Sequence, residues 1–164
     1  MGQSHLATRR RGFSLIELVI VVVIIGIIAA IAIPRLSRGA SGAADSALSG
    51  NVSVLRNAID LYATEHGGTY PTLANVVDQL TTYTDASGTT SATKTATAIY
   101  GPYLRKMPSL PVGTNKNSAT VVDGSSGTPG TAAGGWFYNA STGEIKANLA
   151  DAEKDASGKA YNAY

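Results

Sequence analysis

Arg9-Arg10-Arg11-Gly12-Phe13-Ser14-Leu15-Ile16-Glu17-Leu18, running on unbroken to Ile33, is the stretch around which the rest of this chain is arranged. Three arginines and a glycine lead into a long apolar run, and one carboxylate, Glu17, sits inside it. After Leu18 only Val, Ile, Ala and Gly follow as far as Ile33. Counted from Phe13, the run holds 21 residues. At about 1.5 Å per helical residue it can cross a hydrocarbon layer of roughly 30 Å. In lipid each backbone group must be bonded internally, so the run must be helical there despite its Val and Ile content. The reading is of a chain inserted in a membrane at some stage.

Glu17 is the anomaly. A carboxylate in an apolar helix costs about 2.5–3.5 kcal/mol on insertion scales, and intramembrane ionisable residues usually have a partner that carries function. Two readings stand. Glu17 lies four residues from Phe13 and snorkels to the interface, or it pairs with a cation at membrane depth.

Gly12-Phe13-Ser14-Leu15-Ile16-Glu17 resembles the class III signal of type IV pilins and type II secretion pseudopilins. The resemblance covers Arg9 to about Arg38. It implies cleavage by a prepilin peptidase between Gly12 and Phe13 on the cytoplasmic side, then N-methylation of Phe13. It also implies that Glu17 meets the amino terminus of a neighbouring subunit during filament assembly, and that Pro34 kinks the helix. The partners implied are the membrane, the peptidase, copies of this chain and other pilin-like subunits, and assembly platform proteins.

A rival signal is present. Ala30-Ile31-Ala32 has the small-residue form of an ordinary secretory cleavage site. Glu17 within the apolar region and a run longer than the usual 7–15 residues argue against it. An uncleaved anchor is a third option. Arg9–Arg11 outnumber Arg35 and Arg38, which places the N-terminus in the cytoplasm for both the anchor and the pilin-like reading.

The precursor carries a net charge of +2. Without the three leader arginines, ten basic residues face eleven acidic ones, a net of −1. The basic isoelectric point belongs to the leader and does not argue for nucleic acid. The chain has no cysteine, so no disulfide can staple the exported part.

Past Pro34 the helix is expected to continue, kinked rather than ended. Gly39, Gly42 and Gly50 are soft points or places where helices approach closely. Leu48, Val52, Leu55, Ile59 and Tyr62 recur at spacings of 4, 3, 4 and 3, a single apolar stripe, with Asn51, Arg56, Asn57, Asp60 and Glu65 opposite. Gly67-Gly68 and Pro71 end the helix. The expected organisation is a leader at 1–12, a transmembrane and assembly half at 13–34, an amphipathic half at 35–66 and a periplasmic globular region at 67–164.

That globular region must cover the stripe. A short helix is expected over Ala74–Thr82 and a Gly/Ser/Thr-rich loop over Asp85–Thr97. Met107-Pro108 and Leu110-Pro111 allow at most short or edge strands. Thr120–Asp123 reads as a strand, Gly124–Gly135 as a flexible stretch, and Trp136–Asn139 with Glu144–Ala147 as a hairpin. The tail after Leu149 reads as loose or laid on the surface. The fold class is α+β. In layout it resembles the pilin fold, a long N-terminal helix packed on a small C-terminal antiparallel sheet.

No catalytic constellation is present: no Cys/His metal spacing, no Gly-x-Ser-x-Gly, no phosphate loop. His66 beside a helix end reads as a structural cation. Asp123, Asp151, Glu153 and Asp155 could supply oxygens to Ca²⁺, with solvated loop acids as the blander reading. Major pseudopilins carry Asp-Pro-Trp-Gly-Asn and an Asp-rich calcium loop; this chain has Leu110-Pro111-Val112-Gly113 and no such cluster. No cofactor is expected. The function expected is assembly rather than catalysis: a type II secretion pseudopilin, or a pilus subunit serving adhesion, motility or DNA uptake. A membrane-anchored periplasmic binding module is the alternative outside that class. The expected location is the inner membrane, N-terminus cytoplasmic and C-terminal region periplasmic, then a periplasmic or surface filament.

Overall fold

The computed structural model describes residues 12–164; the leader arginines lie outside the described residues. The chain divides into two compact units, one ending at Gly39 and the other Ala40–Tyr164. Helix α1, Leu15–Glu65, is a single 51-residue α-helix that contributes to both. It runs through Pro34 without a break in helical assignment.

Within the first unit, α1 is apolar on every side. Leu15–Ile33, 19 residues with a mean hydropathy of 3.2, has no buried residue. A helix apolar all round belongs inside a large protein or a membrane.

Within the second unit, α1 is amphipathic. Leu48, Leu55 and Ile59 have no exposed surface, Val52 and Tyr62 almost none, while Asp60 and Glu65 are exposed. Side chains four and three apart fall on one face, and that face becomes the floor of the core. The hydroxyls of Ser46, Ser53 and Thr64 bond the carbonyls of Gly42, Ser49 and Asp60 four residues back, so the outer polar face is satisfied locally. The helix stops where two residues adopt positive φ, Gly67 at 64° and Gly68 at 88°. The Gly68 N–H returns to the Ala63 carbonyl at 2.7 Å, capping an otherwise free acceptor.

Three layers of chain cover the stripe. Helix α2, Val76–Thr81, contributes Val76 and Leu80; the proline-punctuated stretch after it contributes Leu104, Met107, Leu110 and Val112. The third layer is a sheet of β3 (Val121–Asp123), β4 (Trp136–Tyr138) and β5 (Ile145–Ala147), in that order. As the central strand, β4 is buried at all three positions. Trp136 and Tyr138, two apart, share the core-facing side. Their polar tips are not stranded: Trp136 Nε1 donates to the Pro108 carbonyl at 2.7 Å and Tyr138 Oη to the Pro71 carbonyl at 2.8 Å.

The α+β class is what the structure shows, with differences in detail. The hairpin β4–β5 is antiparallel, Tyr138 opposite Ile145, but β3 runs parallel to β4, Val121 opposite Trp136, so the sheet is mixed. The cause is the length of Gly124–Gly135. Its twelve residues carry the chain back along the sheet before β4 begins, as a parallel pairing requires. That stretch is not free. Asn148, fully buried, donates to the carbonyls of Ala132 and Gly134 and accepts from the Gly130 N–H.

The expected loop at Asp85–Thr97 contains part of a small antiparallel ladder, β1 (Tyr83–Thr84) with β2 (Thr90–Ser91). Asp85-Ala86-Ser87-Gly88-Thr89 turns it. The Asp85 carboxylate accepts from the Ser87 N–H, the Ser87 hydroxyl and the Thr89 N–H. Gly88 has a φ of 81°, and a Cβ there would sit 2.5 Å from the Tyr62 hydroxyl, so only glycine fits.

The same five-residue device recurs in the tail. Asp155-Ala156-Ser157-Gly158-Lys159 makes the matching three bonds to Asp155. The tail lies on the core rather than loose. Tyr161 and Tyr164 pack against the core, Tyr161 Oη reaches Asp45, and Arg56 donates to the Tyr164 carbonyl.

Candidate processing and assembly segment

Gly12, Phe13 and Ser14 precede α1, are not helical and are exposed, Phe13 by 91 %. The Gly12–Phe13 bond therefore lies in an open, irregular dipeptide just ahead of the helix. Among the described residues, a Cβ added at Gly12 would meet nothing within 4 Å.

Helix α1 begins one residue after Ser14. The Ser14 carbonyl accepts the Leu18 N–H at 3.3 Å, the first intrahelical bond, which makes Ser14 the N-cap. Glu17 folds back over this turn, and its Oε2 accepts the Ser14 N–H at 2.8 Å. Phe13, Glu17, Leu18, Ile20 and Val21 line one shallow groove on the helix surface. The apolar span Leu15–Ile33, which includes most of this groove, is 19 residues at 1.5 Å each, about 28 Å, the thickness of a hydrocarbon layer.

Pro34 lies within α1 just after this span, and Leu48, Val52, Leu55, Ile59 and Tyr62 form the helix side of the core in the second unit. Arg9–Arg11 and the rest of the leader lie outside the described residues.

His66 is buried at the helix end. Its Nδ1 lies 2.8 Å from the Tyr62 carbonyl and its Nε2 2.9 Å from the Asp85 carbonyl, with the ring stacked 3.8 Å from Tyr62. It joins the helix end to the β1–β2 turn.

The four acids considered for calcium are engaged by protein donors. Asp123 accepts from Ser125, Asp151 from Asn162, Glu153 from Thr114, and Asp155 from Ser157, Lys159 and the Tyr164 hydroxyl. Among the described residues no three His, Cys, Asp or Glu side chains group as metal ligands would. Hydrogen bonds from Ser157 and then Tyr164 hold the Asp155 carboxyl well below the usual carboxylate range. The same carboxylate pushes the Tyr164 hydroxyl up to about 12. Burial, and then the bond to Glu65, raise Tyr103, while burial raises Tyr138. These shifts mark structural bonds on loops and core edges.

Two features escaped the sequence reading. The Ser14-x-x-Glu17 spacing ahead of an apolar run is the signature of a capping box. The twin Asp-Ala-Ser-Gly tetrapeptides at 85–88 and 155–158 announced two matching turns.

An apolar helix long enough to cross a membrane, joined to an α+β unit, fits a membrane-anchored protein. Residues 7–33 match the family model of the prokaryotic N-terminal methylation motif, the class III signal of type IV pilins and pseudopilins. The motif is one that pilin-like proteins carry, and it supports a pilin-like reading of the amino-terminal segment it covers. No curated protein and no solved structure matches the chain.

Proposed function

We propose that the chain is a structural subunit of a type IV pilus-like filament, and within that class a type II secretion pseudopilin. The observation that carries the reading is the methylation motif at 7–33, which takes in the 19-residue apolar span Leu15–Ile33 of helix α1. Such a helix needs lipid before assembly and other apolar helices after it, because bare apolar surface of this extent is not stable in water. The leader 1–12 is removed between Gly12 and Phe13 by prepilin peptidase, and Phe13 is N-methylated. The chain then spans the inner membrane once, with its C-terminal unit in the periplasm, until assembly platform proteins add it to copies of itself and related subunits. Pro34 eases a bend in the helix between membrane and globular unit. The lack of any cysteine favours the pseudopilin over pilus adhesins, which often close a C-terminal loop with a disulfide.

Intact mass and amino-terminal sequencing of the membrane-extracted protein test the reading. The expected species has lost Met1–Gly12 and begins at a methylated Phe13. An intact amino terminus would remove the filament reading and leave an anchored periplasmic module.

A further inference from the structure

Among the described residues, Glu17 is the sole carboxylate on the apolar span, and it is not bare within its own chain. Its Oε2 takes the Ser14 N–H at 2.8 Å. The first turn of any helix leaves N–H groups without intrahelical acceptors. In water those groups are solvated, but in or against lipid each one left unbonded costs several kcal/mol. Ser14 is the N-cap and Glu17 the third helical residue, and from that position a carboxyl oxygen reaches back to the N-cap amide. The positive end of the helix dipole lies at the same place and favours an anionic acceptor. Phe13 and Leu18 occupy the positions of a hydrophobic staple and border the same groove. Phe13 is 91 % exposed, however, so the ring adds little packing and the hydrogen bond carries the cap.

We propose that Glu17 is a positioning residue that fixes where the membrane helix starts: with Ser14 it forms half of a capping box that ends the helix at Leu15 and leaves Gly12, Phe13 and Ser14 outside it. The role needs a side-chain acceptor at this position and does not need a charge. A glutamine carries the same carbonyl oxygen at the same reach and serves the capping box as well. An alanine carries none. The cap is complete within one chain and requires no neighbouring subunit, so it can fail while filament assembly stands, and the reverse.

The test is amide hydrogen exchange, read by NMR, on the full-length precursor in phospholipid bicelles, comparing the native chain with Glu17→Gln and Glu17→Ala. The expected result is a Ser14 amide protected relative to Phe13 in the native chain and in Glu17→Gln. In Glu17→Ala it exchanges about five- to tenfold faster, the factor one hydrogen bond supplies, while the amides of Val19–Ile33 are unchanged. Unchanged amides over that span also show that the variant is inserted and helical. A Ser14 amide as fast as Phe13 in the native chain overturns the proposal, as does an alanine variant that keeps protection. A glutamine variant that loses protection as alanine does overturns it too, in favour of a purely electrostatic role.

Discussion

Trp136 donates its indole N–H to the Pro108 carbonyl at 2.7 Å, tying the central strand of the sheet to the proline-punctuated segment beneath it. The indole is fully buried, and Pro108 lies in a stretch whose two prolines cannot join a ladder. Trp136→Phe keeps most of the aromatic surface and removes the donor. The Pro108 carbonyl then loses its partner, at a cost of about 1–3 kcal/mol. Thermal or urea unfolding of the compact unit Ala40–Tyr164 measures it, and an unchanged midpoint would show that water replaces the indole.

Leu55 has no exposed surface and stands in the middle of the buried stripe, between Val52 and Ile59. Leu55→Ala is expected to cost about 2–5 kcal/mol, a large part of a typical domain stability of about 5–15 kcal/mol. Leu55→Asp is expected to abolish cooperative melting of the same unit. Retained cooperativity would mean that the stripe is dispensable to the fold.

The twin turns contribute to the acid limb of stability. Hydrogen bonds, led by those from Ser87 and Ser157, lower the carboxyls of Asp85 and Asp155 below their usual range. A folded value below the unfolded one means that the ionised form stabilises the fold. The contribution is present above the ordinary carboxylate range and is lost as the pH falls through and below it. Both side chains are exposed to solvent screening, so the effect is modest. Asp85→Asn with Asp155→Asn is expected to flatten the loss of melting temperature between neutral and acid pH. A double variant whose acid profile parallels the native one would assign that limb to other carboxylates.

The long elements were legible and the short ones only in part, for a physical reason. The stripe from Leu48 to Tyr62 repeats over four turns, so each position reinforces the same face, and the Gly67-Gly68 stop is a local requirement for positive φ. The hairpin of Trp136–Tyr138 with Ile145–Ala147 is likewise local. The parallel partner Val121–Asp123 is not: three residues carry no period, and their direction depends on how Asn148 gathers the twelve residues between the strands. The tail reads as polar because its order comes from Asp155, Ser157 and Tyr164 bonding one another rather than from apolar surface. At the membrane segment, composition revealed the span and the anomaly at Glu17, while the bond to Ser14 depends on a rotamer that composition does not encode.

Gly12→Val is expected to leave unprocessed precursor in the inner membrane. Among the described residues nothing crowds a side chain at this position, so the described fold tolerates valine, and the expected effect arises in the peptidase site that must admit it. Immunoblotting of membranes from cells with active prepilin peptidase reads the outcome. Accumulation at the mature mass would show that the glycine is not required for cleavage.

The last prediction separates the two things Glu17 can do. In the single chain its carboxylate bonds the Ser14 N–H, while the filament reading asks it to meet the new amino terminus of Phe13, its own or a neighbour's. Phe13 and Glu17 are four apart, close enough in sequence for an internal pair once the leader is gone. A helix shifted along the filament axis could exchange that pair for one between subunits. Pairing offsets the cost of holding both charges among apolar side chains, and removing one partner strands the other. Glu17→Gln keeps the shape and the capping oxygen, deletes the charge and lowers the cost of insertion. The variant is therefore expected to be cleaved, methylated and stable in the inner membrane, yet to give few filaments. Because the helix start is preserved, the deficit would belong to the lost charge alone. Filaments sheared from cells, or trapped by crosslinking, are counted at matched expression. A normal yield would remove charge pairing from assembly and leave a carboxylate that caps its helix and reaches the membrane interface.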